Sequence, residues 1–227
     1  MIKRLLDITL GTITLLIVLP LLILVAILVK STSKGPIFFR QKRLTRNMRE
    51  FQIMKFRTMS FDFDKKAIGV QIRGDSPEIT KLGLILRRSK IDELPQLLNI
   101  IKGDMSFVGP RPELPRRLGH YSEDQKKIFA VRSGITSPAS IILADEEYLM
   151  MHAKNPEDFY ISYLLPYKIK LNQYYIRRMN LYFDLMLIGA TILRIFGKNC
   201  TNLIVSDSNL KDYRQNLIEI AKSGNSQ

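Results

Sequence analysis

Residues 89–113 read SKIDELPQLLNIIKGDMSFVGPRPE, and they decide the fold around them. The apolar residues at 94, 97, 98 and 101 follow helical spacing, and a glycine stands where such a helix would end. We therefore predict a short helix that ends at Lys102–Gly103 and has Asp92 at or next to its N-cap. Pro95 fits the first turn, because the backbone amides there have no partner inside the helix.

Asp92 and Glu93 form an acidic pair in a strongly basic chain. The sequence holds 35 Lys and Arg against 21 Asp and Glu, so its surface attracts nucleic acids, anionic lipids or phosphorylated small molecules. The helix dipole and the cations at 87, 88 and 90 are expected to hold Asp92 ionised. An ionised carboxylate in this setting can attack phosphorus or bind magnesium. A plain helix cap is the alternative interpretation.

Pro110 and Pro112 flank Arg111 and restrict the backbone on both sides of it. The guanidinium is therefore expected to project from a stiff turn, where it suits an oxyanion. The alternative is an ordinary surface turn whose arginine pairs with a residue such as Glu113.

The segment from Ile8 to Val29 is almost wholly apolar, and its roughly 22 residues would just cross a hydrocarbon core. It is too long for a cleaved signal peptide. Basic residues flank it on both sides, which suits two cytoplasmic ends, and Pro20 removes a helical hydrogen bond near its middle. A re-entrant helix-break-helix hairpin satisfies both observations. A Pro-kinked spanning helix is the alternative.

A compact basic element follows the apolar segment. Residues 37–41 and 51–56 have the pattern of two short strands around a polar turn at 44–49. Eight Lys and Arg side chains between 34 and 57 favour a patch for lipid headgroups. No nucleic-acid fold signature accompanies this charge, so membrane lipids are predicted partners and nucleic acid is not.

Several blocks of the chain, in the same order, resemble the bacterial sugar transferases and, more narrowly, the monotopic phosphoglycosyl transferases that act on polyprenyl phosphates. The resemblance runs from residue 1 to about residue 200. The blocks are KRLLD at 3–7, GPIFFRQ at 35–41, KFRTM at 55–59, LRRSKIDELPQL at 86–97, KGDMS at 102–106 and VGPRPE at 108–113.

The resemblance implies transfer of a phospho-sugar from a UDP-sugar to undecaprenyl phosphate, with release of UMP. It implies that Asp92 is the nucleophile that becomes linked to the phospho-sugar. Glu93 is implied as a second acid, which binds Mg²⁺ together with Asp92 or positions the lipid phosphate. An anionic nucleophile and a diphosphate repel each other, and Mg²⁺ with fixed cations is the usual solution. The candidate phosphate-binding cations within the matching blocks are Lys55, Arg57, Arg87 and Arg111.

The chain departs from the family pattern at two places. The family hairpin commonly breaks at a Ser-Pro pair, whereas Leu19 precedes Pro20 here. The family sequence Pro-Gly-x-Thr-Gly is replaced by SGITS at 133–137. Gly134 and Thr136 persist and are candidates to line the nucleotide or sugar pocket, with a plain connecting turn as the alternative.

The expected fold is α+β and predominantly helical. It comprises a membrane hairpin (1–33), a catalytic domain with a small β hairpin and interfacial amphipathic helices (34–200), and a polar C-terminal tail (201–227). Residues 181–196 are too short and too charged for a span and are expected to form an interfacial helix.

The expected location is the cytoplasmic face of the bacterial inner (cytoplasmic) membrane. A non-catalytic membrane scaffold or anionic-lipid-binding protein that keeps this fold is the rival hypothesis. The sequence leaves open which sugar is transferred, which polymer is built and whether the chain forms a homodimer.

Overall fold

The computed structural model describes residues 2–60, 78–198 and 200–222. The described chain is mostly helical. The helices are α1 (Ile2–Thr32), α2 (Lys81–Arg88), α3 (Gln96–Lys102), α4 (Pro138–Ile142), α5 (Glu146–His152), α6 (Pro156–Phe159), α7 (Leu165–Arg178), α8 (Leu181–Ile195), α9 (Thr201–Ile204) and α10 (Ser208–Lys222). The strands are β1 (Phe38–Leu44), β2 (Glu50–Phe56), β3 (Met105–Val108) and β4 (Ser133–Thr136).

The small β hairpin is confirmed by the structure. Strands β1 and β2 pair antiparallel, from Phe38 opposite Phe56 to Leu44 opposite Glu50. Alternate side chains of a strand share a face, so one face of β2 carries 51, 53 and 55. The first two of these, Phe51 and Ile53, are buried in a cluster with residues of α3 and β3.

A second pair of strands was not predicted from the sequence. Strands β3 and β4 pair in parallel, whereas the sequence of residues 133–137 predicts a pocket wall or a connecting turn. A Cβ on Gly134 of β4 would lie 2.1 Å from the backbone nitrogen of Gly109, the residue after β3, so the two backbones can meet only because glycine stands there. Strands this short, separated by a long connection, leave no periodic signal in the sequence.

Helix α1 is continuous from Ile2 to Thr32, with Pro20 inside it, so the predicted break into two helices is not observed. Proline removes only one backbone hydrogen bond, and packing against the rest of the protein supports the helix on both sides of it. In the described parts of the chain, α1 is the one helix long and apolar enough to cross a membrane, by length and composition.

One stripe of α1 packs against the protein along the length of the helix. Near its start, the buried Asp7 accepts hydrogen bonds from Ser106 Oγ at 3.0 Å and from the Phe107 amide at 3.1 Å. Near its end, Val25 and Val29 are buried. The remaining surface of α1 exposes large apolar side chains: Ile2, Leu5, Ile8, Leu10, Ile13, Leu16, Ile17, Leu19, Leu21, Ile23, Leu24, Ile27 and Leu28.

The main core is built by the C-terminal helices around α7. Helix α8 buries Phe183 and Leu187 in this core and exposes Tyr182 and Leu185 on its other side. Such a two-sided helix suits the interfacial placement expected for residues 181–196, which stays a prediction. Helix α10 also joins the core, because Leu210 and Leu217 are buried in it.

Candidate active site

The acidic pair lies in a short 3₁₀ turn, Ile91–Glu93, rather than at the N-cap of α3. Pro95 explains this difference. It has no amide hydrogen for the Ile91 carbonyl, which instead accepts from the Leu94 amide at 3.2 Å, and regular α-helix starts only at Gln96. The predicted helix end is confirmed, with Lys102 as the last residue and Gly103 at a φ of 98°.

Glu93 is held between two cations. Its Oε1 accepts from Lys55 Nζ at 2.7 Å and from Arg111 Nη2 at 2.6 Å. Lys55 reaches it because it follows Phe51 and Ile53 on the β2 face that covers α3. Burial alone would raise the pKa of Glu93, but the charges of Arg111 and Lys55 outweigh burial and hold this pKa well below its ordinary value.

Asp92 has the opposite surroundings, although it is the adjacent residue. It is buried, with 7% of its surface exposed, and within the described residues its Oδ1 has no hydrogen-bond partner. Burial raises the pKa of Asp92 and outweighs the opposing charges of Lys55, Lys90 and Arg87, while Glu93 raises it further. The cations therefore reduce the upward shift of the Asp92 pKa but do not reverse it. The prediction that nearby cations would outweigh burial at Asp92 is wrong.

The turn that carries Arg111 is fixed from both sides. The Gly109 amide donates to the Thr136 carbonyl at 3.0 Å, and the Gly134 amide donates to the Pro110 carbonyl at 3.0 Å. Gly134 and Thr136 thus hold the start of the turn through their backbones, while Thr136 Oγ1 lies 2.5 Å from Thr191 Oγ1 of α8.

The other end of the turn is fixed by β1. Arg43 Nη1 donates to the Pro112 carbonyl at 3.2 Å, and the Leu44 amide donates to the Glu113 carbonyl at 2.8 Å. Arg111 itself pairs with Glu93 and not with Glu113, so the ordinary-turn alternative for this arginine is wrong.

The structure does not bring every predicted cation to this cluster. Arg57 Nη2 donates to the Ser33 carbonyl at 2.8 Å and to Ser33 Oγ at 2.6 Å, so this guanidinium binds the chain just after α1. Arg87 ends α2, and its charge is one of those that favour ionised Asp92. The grouped candidates are therefore Lys55, Asp92, Glu93 and Arg111, with Arg87 near them.

Asn99 was missed by sequence reasoning. It is buried on α3, where its Nδ2 donates to the Gln52 carbonyl at 2.8 Å and its Oδ1 accepts from the Met54 amide at 3.1 Å. These bonds fix β2, and hence Lys55, against α3. The signal available in the sequence was a single amide side chain between Leu98 and Ile100 in an apolar helix.

The donor set can be compared with the needs of Mg²⁺. No group of three or more His, Cys, Asp or Glu side chains converges within residues 2–60, 78–198 and 200–222. Mg²⁺ needs no such cage, because it is usually held by one or two carboxylates together with substrate phosphates. Asp92 fits this chemistry through Oδ1, which has no partner among the residues that the structure describes, whereas Glu93 already binds Lys55 and Arg111.

Comparison with known proteins gives the family. The sequence profile described as bacterial sugar transferase matches residues 1–198. The chain belongs to this family, and the predicted resemblance is confirmed.

Curated relatives agree with this assignment. An undecaprenyl-phosphate glucose phosphotransferase of Komagataeibacter xylinus is 36% identical over 204 residues, which are 87% of this chain and 36% of that protein. A UDP-N-acetylgalactosamine-undecaprenyl-phosphate N-acetylgalactosaminephosphotransferase of Aeromonas hydrophila is 32% identical over 86% of this chain and 43% of its own length. EpsL of Bacillus subtilis (strain 168), an uncharacterised sugar transferase, is 34% identical over 90% of this chain and 94% of its own length. The chain thus spans less than half the length of the first two relatives.

Proposed function

We propose that this protein transfers a phospho-sugar from a UDP-sugar to undecaprenyl phosphate through an intermediate covalently bound to Asp92. The observation that carries the proposal is the buried Asp92 carboxylate, whose Oδ1 has no hydrogen-bond partner in the described parts of the chain. The adjacent Glu93 binds two cations, Lys55 and Arg111. The relatives from Komagataeibacter xylinus and Aeromonas hydrophila support the substrate classes, because both are named as undecaprenyl-phosphate sugar phosphotransferases.

The proposed reaction has two balanced steps. A carboxylate oxygen of Asp92 bonds to the β-phosphorus of the UDP-sugar, and the bond from that phosphorus to the bridging oxygen breaks, so UMP leaves with the electron pair. A phosphate oxygen of undecaprenyl phosphate then attacks the same phosphorus and releases Asp92. The product is an undecaprenyl diphospho-sugar, and neither step needs a net proton.

Lys55 and Arg111 supply the positive charge for this chemistry. Both already bind a carboxylate, and a phosphate oxygen is a similar acceptor. Fixed donors of this kind stabilise the charge that develops as a phosphoryl group is transferred. Mg²⁺ bound through Asp92 would further neutralise the diphosphate.

The contacts at the two ends of α1 support an arrangement with both ends on one side of the membrane, as the re-entrant hypothesis requires, rather than a spanning one. Near its start, Arg4 donates to the Ile100 carbonyl at 2.6 Å and to the Ile101 carbonyl at 2.8 Å, and just past its end Arg57 binds Ser33. A helix of this length measures about 45 Å, enough to cross a bilayer. One domain attached at both ends favours placing both ends on the same side of the membrane, which we propose is the cytoplasmic face of the bacterial inner membrane.

Intact-mass measurement tests the covalent step. Purified protein is mixed with Mg²⁺ and each of a panel of UDP-sugars, without lipid acceptor, and Asp92→Asn is the matched control. The expected result is a mass increase of one sugar phosphate on the wild type with at least one donor, and none on the variant. No adduct with any donor, together with retained membrane association, would favour the rival scaffold function.

Cysteine labelling tests the topology. Cys200 is buried, and Cys200→Ser provides a background for single cysteines placed at exposed Ile2 and Ser31. In intact cells a membrane-impermeant maleimide is expected to label neither position, and both should react after the inner membrane is opened. Labelling of either position in intact cells would indicate a spanning helix.

A further inference from the structure

Another buried carboxylate, Glu113, lies two residues after Arg111 and has partners other than the acidic pair. Glu113 Oε1 accepts from the Leu114 amide at 2.8 Å and from Arg117 Nη1 at 3.3 Å. Its Oε2 accepts from Tyr160 Oη at 2.9 Å and from Tyr121 Oη at 3.5 Å. Burial would raise the pKa of Glu113, but nearby positive charges and the Leu114 amide outweigh it and lower this pKa.

The network continues beyond Glu113 into the C-terminal helices. Lys168 Nζ on α7 lies 3.4 Å from Tyr160 Oη and 2.9 Å from each carboxylate oxygen of Glu146 on α5. The guanidinium of Arg117 lies 3.8 Å from the centre of the Tyr160 ring. Tyr160 is therefore held by two cations as well as by Glu113, and it has little freedom to move away from that carboxylate.

The same network reaches the cations of the candidate site. Glu113 is two residues after Arg111, and its carbonyl accepts from Leu44, the last residue of β1. Strand β1 pairs with β2, which carries Lys55. A fixed Glu113 therefore fixes the Arg111 turn against the hairpin that supplies the other cation.

We propose that Glu113 is a positioning residue that sets where the Arg111 guanidinium lies relative to Lys55 and Glu93. This inference rests on the proposed function, in which Arg111 binds the diphosphate of the donor. Glu93 holds Arg111 in the structure, and a donor phosphate competes for the same guanidinium. The arginine then stays in place only if its own backbone is anchored, which is the role of Glu113 and its tyrosine.

Variants of two partners test the inference. Glu113→Gln is expected to lower kcat/KM for UMP release on the order of 10²-fold, as displacement of a catalytic group by about 1 Å can do. Tyr160→Phe removes a single hydroxyl and is expected to lower it about tenfold, the effect of one hydrogen bond to a charged group. Tyr167→Phe is the matched control, because this fully buried tyrosine donates to the Leu210 carbonyl at 2.7 Å in the main core. Tyr167→Phe should change kcat/KM less than about twofold, even where its shift in Tm is comparable to that of Tyr160→Phe.

A double-mutant cycle separates positioning from general destabilisation. In an Arg111→Gln background, measured by the single-turnover rate of adduct formation, Glu113→Gln should have less than about a twofold further effect. Effects that add fully, or wild-type kcat/KM in both Glu113→Gln and Tyr160→Phe, would overturn the positioning role. If Glu113→Gln does not fold, the same cycle with Tyr160→Phe decides. A wild-type protein that forms no adduct and releases no UMP would instead overturn the proposed function, and this inference with it.

Discussion

Two buried carboxylates, Asp92 and Glu113, have different surroundings: Asp92 is adjacent to the Glu93 that binds Arg111, and Glu113 lies two residues after Arg111. Both oxygens of Glu113 accept hydrogen bonds from fixed donors, whereas in the described structure Oδ1 of Asp92 accepts none. The pKa is lowered at Glu113 and raised at Asp92. A carboxylate with every oxygen satisfied stabilises a fold, and a buried one that lacks partners is available for reaction at some expense in stability.

The largest expected effect comes from removing the Asp92 carboxylate, whose Oδ1 has no hydrogen-bond partner among the described residues. Asp92→Asn should reduce UMP release by at least about 10³-fold, because the amide is a poor nucleophile. The same change should raise the free energy of unfolding at neutral pH by roughly 1 kcal/mol, because a neutral group is easier to bury than an unpaired charge. Turnover assays and thermal unfolding measure the two effects. Retained turnover would contradict the role of Asp92 as nucleophile.

Glu93→Gln tests whether the acidic pair shares one role. It leaves Lys55 and Arg111 without their counter-charge, and we expect a loss of about 2 kcal/mol in the free energy of unfolding, less than for a fully buried pair since Arg111 is about one-third exposed. Activity should fall because both cations lose their fixed positions. Denaturant unfolding compares the variant with Asp92→Asn, and equal signs in the two stability changes would refute the contrast between the neighbours.

Asp92 and Glu93 should also respond to pH with opposite signs. The raised pKa of Asp92 contributes stability that is full below its unfolded-state pKa and lost as pH rises through its folded-state pKa. The lowered pKa of Glu93 contributes stability that is present above its unfolded-state pKa and lost as pH falls through its folded-state pKa. Unfolding of wild type, Asp92→Asn and Glu93→Gln across the acidic range measures both contributions.

Activity should follow the ionisation of Asp92. Below the raised pKa the proposed nucleophile, Asp92, is protonated, so the single-turnover rate should fall about tenfold per pH unit, starting at a higher pH than an ordinary aspartate would give. A rate that stays constant as pH falls to the ordinary pKa of an aspartate would show that the pKa of Asp92 is not raised.

The smallest effect is expected at an exposed ion pair. Lys42 Nζ lies 2.9 Å from Glu50 Oε2, the same separation as between Lys168 and Glu146. The side chains of Lys42 and Glu50 are 68% and 47% exposed, whereas those of Lys168 and Glu146 are mostly buried. Lys42→Gln should change the free energy of unfolding by less than about 1 kcal/mol, and Lys168→Gln by more. Equal changes in Tm for the two variants would show that burial does not control the strength of these pairs.

The sequence predicted those parts of the fold that depend on local patterns. Alternating strands around a polar turn indicated the β hairpin, and Gly103 marked the end of α3. The family resemblance predicted that Asp92, Glu93, Lys55 and Arg111 share one site. In the structure Lys55 and Arg111 both bind Glu93, the neighbour of Asp92.

Contacts between residues distant in the chain could not be predicted from local sequence patterns. The pairing of β3 with β4, the binding of Arg57 to the end of α1 and the donors around Glu113 join residues distant in the chain. The direction of the Asp92 pKa shift also depends on burial, which neighbouring charges in the sequence do not reveal.

The contact between Asp7 and β3 has a consequence for protein engineering. Asp7 belongs to the apolar N-terminal helix, yet it accepts from Ser106 and Phe107 of the strand that leads into the Arg111 turn. A chimera that exchanged residues 1–33 for an unrelated membrane anchor would leave those donors without an acceptor. Helix α1 is therefore not an interchangeable module, and chimeras between relatives should transfer this helix and strand β3 together.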